Sequence, residues 1–384
     1  MIYVGIDISK YKHDCFICDE HGEVIVKHLS FQNNKKGFQQ FKDLLKPYDN
    51  VRIALEATGH YGLNLKLFLT KNNYTFMEFN PLIIKEFNKS LTLRRTKTDK
   101  ADAIVIARKL MSVPYKPNST LFYHMYSIKS LTRLRASLVK QRSYYLIQLT
   151  NALDVTFPEF KAYFNNHFSL TSLYILNKYK SAEKVAAMRD FESLRKLSRG
   201  KFTYPQFIKL KELAKDTIGI SNDISDLELS TILNLHKNIS SEIDILDDRI
   251  STIIKELNPR TLSIPGIGAT SCAVIISEFG DINKFANPHK MLSFAGLEPG
   301  INQSGLSSAN GKMVKRGSSY LRHTLMLVAM PVIKFNPVFY DYYRKKRNEG
   351  KHHRVALSHV CKKLIRVIYI LETKNIAFDP SLLK

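Results

Sequence analysis

Apolar residues recur over the first 110 positions in short, strand-length runs separated by stretches with helical spacing. Ile2–Asp7, Cys15–Cys18, Val24–Leu29, Val51–Glu56 and Tyr74–Phe79 read as strands, and Lys36–Lys46, Tyr61–Asn72 and Asp99–Leu110 as helices. Two strands split by a turn at His21-Gly22, then helix, strand, helix, strand, predict a mixed sheet with helices packed on it. Further along, Ile128, Leu131, Leu134, Leu138, Leu146, Leu149 and Leu153 form one stripe, which predicts a long helix over 125–156 ended by Pro158. A second long helix is predicted over 224–257. Its apolar positions Leu229, Ile232, Leu235, Ile239, Ile243, Leu246, Ile250, Ile253 and Leu257 step by three and four, a coiled-coil spacing that an ordinary core helix fits equally well. Residues 160–222 follow neither period, and an α-rich segment starts at Pro259. The expected domains are therefore 1–124, a helical and coiled-coil linker over 125–258 with 160–222 as a candidate insertion, and 259–384.

Composition adds a partner to this outline. The 384 residues are 44% hydrophobic, enough for real cores, and carry 58 Lys and Arg against 34 Asp and Glu, a net charge of +24. Half of that excess lies between Gly311 and Arg366, where 14 basic residues meet only Asp341 and Glu349. A polyanion such as nucleic acid is the partner such a balance predicts. No apolar run approaches the roughly 20 residues of a membrane span, and no signal peptide precedes Ile2, so no membrane role is expected. Cys15 and Cys18 make one CxxC without a second pair, which reads as reduced thiols in a strand rather than a zinc site.

Four carboxylates stand where chemistry could use them. Asp7 and Glu56 each close an apolar strand, a costly place for a charge without a partner. Asp99 and Asp102 are three apart, so one helical face can present both. Gathered together, the four could stay ionised only with cations among them, and hard oxygen ligands suit Mg²⁺. Two such ions clamp the attacking and leaving oxygens of a phosphoryl transfer. Arg94, Arg95, Lys97 and Lys100 flank the helical pair and suit a bound phosphate backbone. Taken singly, Asp99 also fits a helix N-cap and Asp102 a first-turn acid.

Gly5-Ile6-Asp7, Glu56-Ala57-Thr58-Gly59 and Lys97-Thr98-Asp99-Lys100-Ala101-Asp102-Ala103 together resemble the DEDD transposases of bacterial insertion sequences. Relatives of that family include the pilin-gene invertase and recombinases guided by a bridge RNA. The resemblance continues in order through Ser263-Ile264-Pro265-Gly266-Ile267-Gly268, Phe294-Ala295-Gly296-Leu297-Glu298-Pro299, Gln303-Ser304-Gly305, Lys315-Arg316-Gly317 and Tyr320-Leu321-Arg322. It covers roughly 1–155 and 225–370. It implies an RNase H-like (RuvC-like) N-terminal domain in which Asp7, Glu56, Asp99 and Asp102 hold Mg²⁺. Ser304 is the implied nucleophile, attacking a DNA phosphate to form a transient phosphoserine bond. Also implied are donor and target DNA chosen by a structured noncoding RNA, a homodimer or tetramer whose site joins the acids of one protomer to the serine of another, and a bacterial cytoplasmic, nucleoid-associated location.

The residues themselves say less about the serine. Ser304 lies in a Ser/Gly/Asn-rich stretch expected to be a loop, with Ser307 and Ser308 as rivals. Lys312, Lys315, Arg316 and Arg322 follow closely and could neutralise an attacked phosphate, but no nearby base is visible in sequence. Pro265-Gly266-Ile267-Gly268 ahead of the apolar Cys272–Ile276 resembles a helix-hairpin-helix element, whose Gly266 and Gly268 would let the backbone approach phosphate. His352-His353 reads as basic surface. The expected activity is a DNA transposase or recombinase. The main alternative is a RuvC-like junction resolvase or nuclease using water and metal alone. An actin-like or sugar-kinase ATPase would need a second glycine-rich phosphate loop that is missing, and a non-catalytic RNA-binding scaffold would not need converging acids.

Overall fold

The computed structural model describes residues 1–57, 59–91, 98–118, 122–164, 166, 168–220, 222–304 and 307–383. For 122–124, 301–312 and 382–383 the description is of the backbone alone. The chain divides into two compact units, Met1–Tyr126 with Gly280–Ala286, and Ser127–Phe279 with Asn287–Lys384.

The first unit is built on β1 (Ile2–Ile8), β2 (Lys12–Asp19), β3 (Val24–Gln32), β4 (Val51–Glu56) and β5 (Phe76–Phe79), in the sheet order β3-β2-β1-β4-β5. The β1–β2 and β2–β3 pairs are antiparallel, and β1–β4 and β4–β5 are parallel. This mixed arrangement is compatible with an RNase H-like domain. The antiparallel strands are joined by short turns, whereas the parallel ones need the crossovers α1 (Lys35–Leu45) and α2 (Leu63–Lys71). Strand alternation sorts the side chains into two layers. Val4, Ile6, Cys15, Ile17, Ile53 and Leu55 enter one core with Phe38, Phe41, Leu65 and Leu69 of α1 and α2. On the other face Phe16, Cys18, Ala54 and Phe79 meet α3 (Pro81–Leu91) and α4 (Asp99–Met111). Cys15 and Cys18 thus belong to opposite faces, and burial raises both thiols above their ordinary range, as expected of inert thiols.

Gly5 sets the height of α4. A Cβ there would lie 2.3 Å from the Ala103 carbonyl oxygen and 2.5 Å from the Ala107 nitrogen, both backbone atoms of α4. Gly5→Ala is therefore expected to cost about 3 kcal/mol; urea denaturation checks this. His13 is another constraint. It is fully buried, facing Phe31 and Phe38, and neither ring nitrogen has a hydrogen-bond partner. Burial pushes the ring below its ordinary 6.5. A base with a depressed folded pKa lets the unfolded chain take the proton first, so stability is lost as pH falls below 6.5. His13→Leu should gain Tm relative to the natural protein, by a margin that widens as the buffer is taken from neutral to acid.

In the second unit, α5 (Phe122–Thr156, its first turn in the first unit) and α11 (Asp223–Leu257) are the two long helices. Arg135 of α5 donates two hydrogen bonds, 2.5 and 2.8 Å, to Asp247 of α11. Of the stripe expected on α11, Leu229, Ile232, Ile243 and Ile250 are buried, whereas Leu235 and Leu257 are exposed. Residues 160–222, illegible by period, form most of α6 (Pro158–Tyr163) and all of α7 (Leu170–Tyr179), α8 (Ala182–Ala186), α9 (Phe191–Leu197) and α10 (Tyr204–Lys215). Their shared core of Phe160, Ile175, Leu194, Phe202, Phe207 and Leu210 packs with Leu149 and Leu153 of α5 and Leu229 and Leu233 of α11.

The remainder comprises α12 (Ala269–Phe279), α13 (Pro288–Ala295), the hairpin β6 (Pro299–Ser304) and β7 (Ser307–Met313), α14 (Ser319–Phe335), α15 (Pro337–Asn348) and α16 (His353–Lys374). The hairpin departs from the loop expected around Ser304. Gly266 sits at φ +97°, where a Cβ would lie 2.6 Å from the Pro331 carbonyl carbon in the middle of α14. Its lack of a side chain is thus needed for packing inside the unit. No helix among the described residues is long and apolar enough to cross a membrane.

Candidate active site

The sheet brings the acids of the first unit together at one end. Asp7 follows Ile6, which pairs with Leu55, so Asp7 and Glu56 continue that parallel register on adjacent strands. Both lie on the face covered by α4, because Gly5, two residues before Asp7, is the glycine pressed against that helix. The first turn of α4 supplies Asp99 and Asp102. Its N-cap is Thr98, whose side chain accepts from the Ala101 N–H at 3.2 Å, and not Asp99, which is left to face the site. A threonine fits the cap because its short hydroxyl reaches back to the third amide.

A fifth carboxylate, missed in the sequence, completes this group. Asp14 is the register partner of Asp7 across the antiparallel β1–β2 pair and is 1% exposed. Its oxygens are held by His28 Nε2 at 2.7 Å and Lys12 Nζ at 3.2 Å. Burial pushes its carboxyl up, but the His28 hydrogen bond and the Lys12 ion pair together outweigh it and hold Asp14 below the ordinary range. Lys12 Nζ also lies 3.7 Å from Asp99. The missed signal was spacing: the turn at 9–11 makes residues 7 and 14 opposite one another, but only once the register is known.

Asp7 shows the resulting field. Its pKa is pushed up to about 7, first by burial and then by the charges of Asp102, Glu56, Asp99 and Asp14. An acid held half-protonated near neutrality by its neighbours is a group that a cation would ionise. Among the described residues no three carboxylates, imidazoles or thiols are gathered round one point as a ready-made cage. The donor chemistry nonetheless fits a hard divalent cation: all oxygen, with excess negative charge. Lys100 is exposed in the same turn of α4. Arg94, Arg95 and Lys97 lie outside the described residues.

In the second unit Ser304 is the last residue of β6 and pairs with Ser307 of β7, with Gln303 opposite Ser308. The foot of this hairpin is built by two of the sequence motifs packing on each other. A Cβ on Gly296 would lie 2.5 Å from the Arg316 carbonyl oxygen, and one on Gly317 would lie 2.2 Å from that of Phe294. Arg322, expected to bind phosphate, donates to the Ala295 and Gly317 carbonyls at 3.3 and 3.0 Å and so braces this junction. Lys315 and Arg316 are exposed beside it. Gly268, ahead of α12, has open space where a Cβ would stand. His353 Nδ1 bonds the Tyr343 hydroxyl at 2.7 Å, a structural use of that histidine.

A mixed sheet compatible with an RNase H-like domain, with carboxylates at its strand ends, is an arrangement that nucleic-acid phosphoryl-transfer enzymes can use. Comparison with known families narrows it. Residues 4–158 match the family model of the DEDD transposase of IS110, and residues 259–344 match that of the transposase of the IS116/IS110/IS902 family. The chain belongs to this DEDD-type insertion-sequence transposase family and is a transposase or site-specific recombinase. It is 24% identical to the pilin gene-inverting protein of Moraxella bovis, covering 99% of this chain and 98% of that one. The Moraxella lacunata protein of the same name is also 24% identical over the same shares. The insertion element IS116 uncharacterized 44.8 kDa protein of Streptomyces clavuligerus is 22% identical, over 99% and 96% of the two chains. Family membership implies DNA substrates and points to a divalent metal cation.

Proposed function

We propose that the chain cuts and rejoins DNA through Ser304, assisted by Mg²⁺ held on Asp7, Glu56, Asp99 and Asp102. The observation that supports the reading is placement: Asp7 and Glu56 lie on adjacent strands on the face covered by α4, whose first turn carries Asp99 and Asp102. When bound, the metal supplies charge neutralisation at the reacting phosphate and acidifies the attacking hydroxyl. The Ser304 Oγ attacks phosphorus, an Oγ–P bond forms, and the bond from phosphorus to one deoxyribose oxygen breaks. The proton lost by the serine ends on the released sugar hydroxyl. Attack by the hydroxyl of another strand on the phosphoserine reverses these changes and frees Ser304, so one phosphodiester is exchanged for another without an external energy source.

Lys315 and Arg316, exposed at the foot of the hairpin, and Lys312 suit the charge that develops on the attacked phosphate. Lys100 and the Arg94, Arg95 and Lys97 run suit the DNA backbone beside the acids. Gly268 leaves the start of α12 open to phosphate, whereas Arg322 and Gly266 serve by holding the scaffold. Pairing of protomers through the long helices, and selection of DNA by a structured noncoding RNA, complete the reading.

The test is covalent trapping. The protein is incubated with Mg²⁺, element-end DNA and RNA transcribed from the flanking sequence, and then denatured. A protein–DNA adduct that needs Ser304 supports the reading. Metal-dependent cleavage without an adduct, unchanged in Ser304→Ala, would instead establish a resolvase-like nuclease using water. Omitting the RNA tests the guide.

A further inference from the structure

We propose that Lys12 is a built-in counter-cation of the acid site: anchored on buried Asp14, its ammonium occupies Asp99 and competes with a divalent cation for that carboxylate. The inference rests on reading the acids as a metal site.

Three placements carry it. First, Lys12, Asp14, Phe16 and Cys18 alternate along β2, so all four belong to the face that α4 covers. Second, Asp14 is spoken for within the fold. It stands directly across from Asp7, is 1% exposed, and is held by His28 on one oxygen and Lys12 on the other. A carboxylate so compensated is a poor metal ligand but a firm anchor for an ammonium. Third, the same ammonium reaches Asp99 Oδ2 at 3.7 Å, so a single charge spans β2 and the first turn of α4. Asp14 is thereby a positioning residue, acting on Asp99 through Lys12.

The consequence follows from exposure. The side chains of Lys12 and Asp99 are 49% and 54% exposed, so the contact between them is cheap to break. A divalent cation arriving at Asp7 finds Asp99 already neutralised and must share it or displace the ammonium. Lys12 therefore lowers metal affinity while keeping the acid cluster tolerable without metal. Once released, its ammonium stands beside the acids, where a phosphate would approach.

The test uses Mn²⁺ alone with the full-length protein, without nucleic acid, following the free-ion signal by electron paramagnetic resonance. Lys12→Met is expected to bind Mn²⁺ roughly tenfold more tightly than the natural protein, from loss of one positive charge within a few ångströms. Lys12→Arg, which keeps the charge, should stay near the natural value. Asp7→Asn reports on the metal reading separately. If Asp7→Asn loses the Mn²⁺ site while Lys12→Met binds no more tightly than the natural protein, the counter-cation role is overturned and the metal site stands. If the natural protein shows no Mn²⁺ binding that depends on Asp7, the metal reading fails and this inference with it.

Discussion

Asp7→Asn is expected to abolish DNA cleavage and, in the same protein without metal, to raise thermal stability above neutral pH. The loss of activity should be about a thousandfold or more, because the substitution removes a central carboxylate of a preorganised charge site. The gain in stability comes from the sign of the shift at Asp7. Its folded pKa of about 7 lies above the ordinary 3.8, so between those values the folded state keeps a proton that the unfolded chain releases. Stability from that proton is fully present below the ordinary value and is lost as pH rises through the folded one. Melting curves in chelator should therefore nearly coincide for the two proteins in acid and separate toward about pH 8, with Asp7→Asn the more stable. Added Mn²⁺ should raise the melting temperature of the natural protein and leave that of the variant in place. Parallel curves at every pH, with or without the ion, would mean that Asp7 is not held by its neighbours.

Ser304→Ala is expected to lose the protein–DNA adduct entirely while keeping DNA binding, measured by gel shift in the same buffer. On the proposed mechanism the change removes the nucleophilic atom, so no residual adduct should form at that position. Ser307→Ala and Ser308→Ala decide between neighbours. Ser307 is the register partner of Ser304 and Ser308 that of Gln303, so the three serines lie within two rungs of one ribbon. An adduct that survives Ser304→Ala and disappears in Ser307→Ala would move the nucleophile across the hairpin.

β1 and β4 were legible as strand-length apolar runs that lead to an acid, buried on both faces, and their strand bounds came within a residue of Ile2–Ile8 and Val51–Glu56. The two long helices were legible from the helical spacing of their apolar residues. α3 was missed because Pro81 opens a helix in which only Ile84 is buried, leaving little stripe to read. The β6–β7 hairpin escaped because PGINQS and SSANGKM carry almost no apolar alternation and depend on pairing with each other. In the site, Asp7, Glu56, Asp99 and Asp102 could be singled out by strand ends and helical spacing, whereas Asp14 could not. Its place opposite Asp7 is a property of register, and its partners His28 and Lys12 lie on two different strands. Gly266, expected to let the backbone approach phosphate, also makes a close approach to Pro331, and the sequence holds no sign of which backbone a glycine will meet.

The path of the chain through 157–222 has a further consequence. It leaves the end of α5 at Thr156 and returns beside its own point of departure: the Ile220 N–H bonds the Val155 carbonyl at 2.9 Å, and Gly219 is pressed onto the Thr156 carbonyl. Entrance and exit are neighbours, so the five helices between them form a detour that closes on itself. The two family segments end at 158 and start at 259, whereas the full-length relatives are matched over 99% of the chain. Because the two ends of the detour already meet, a change of length inside it is expected to leave the end of α5 in place.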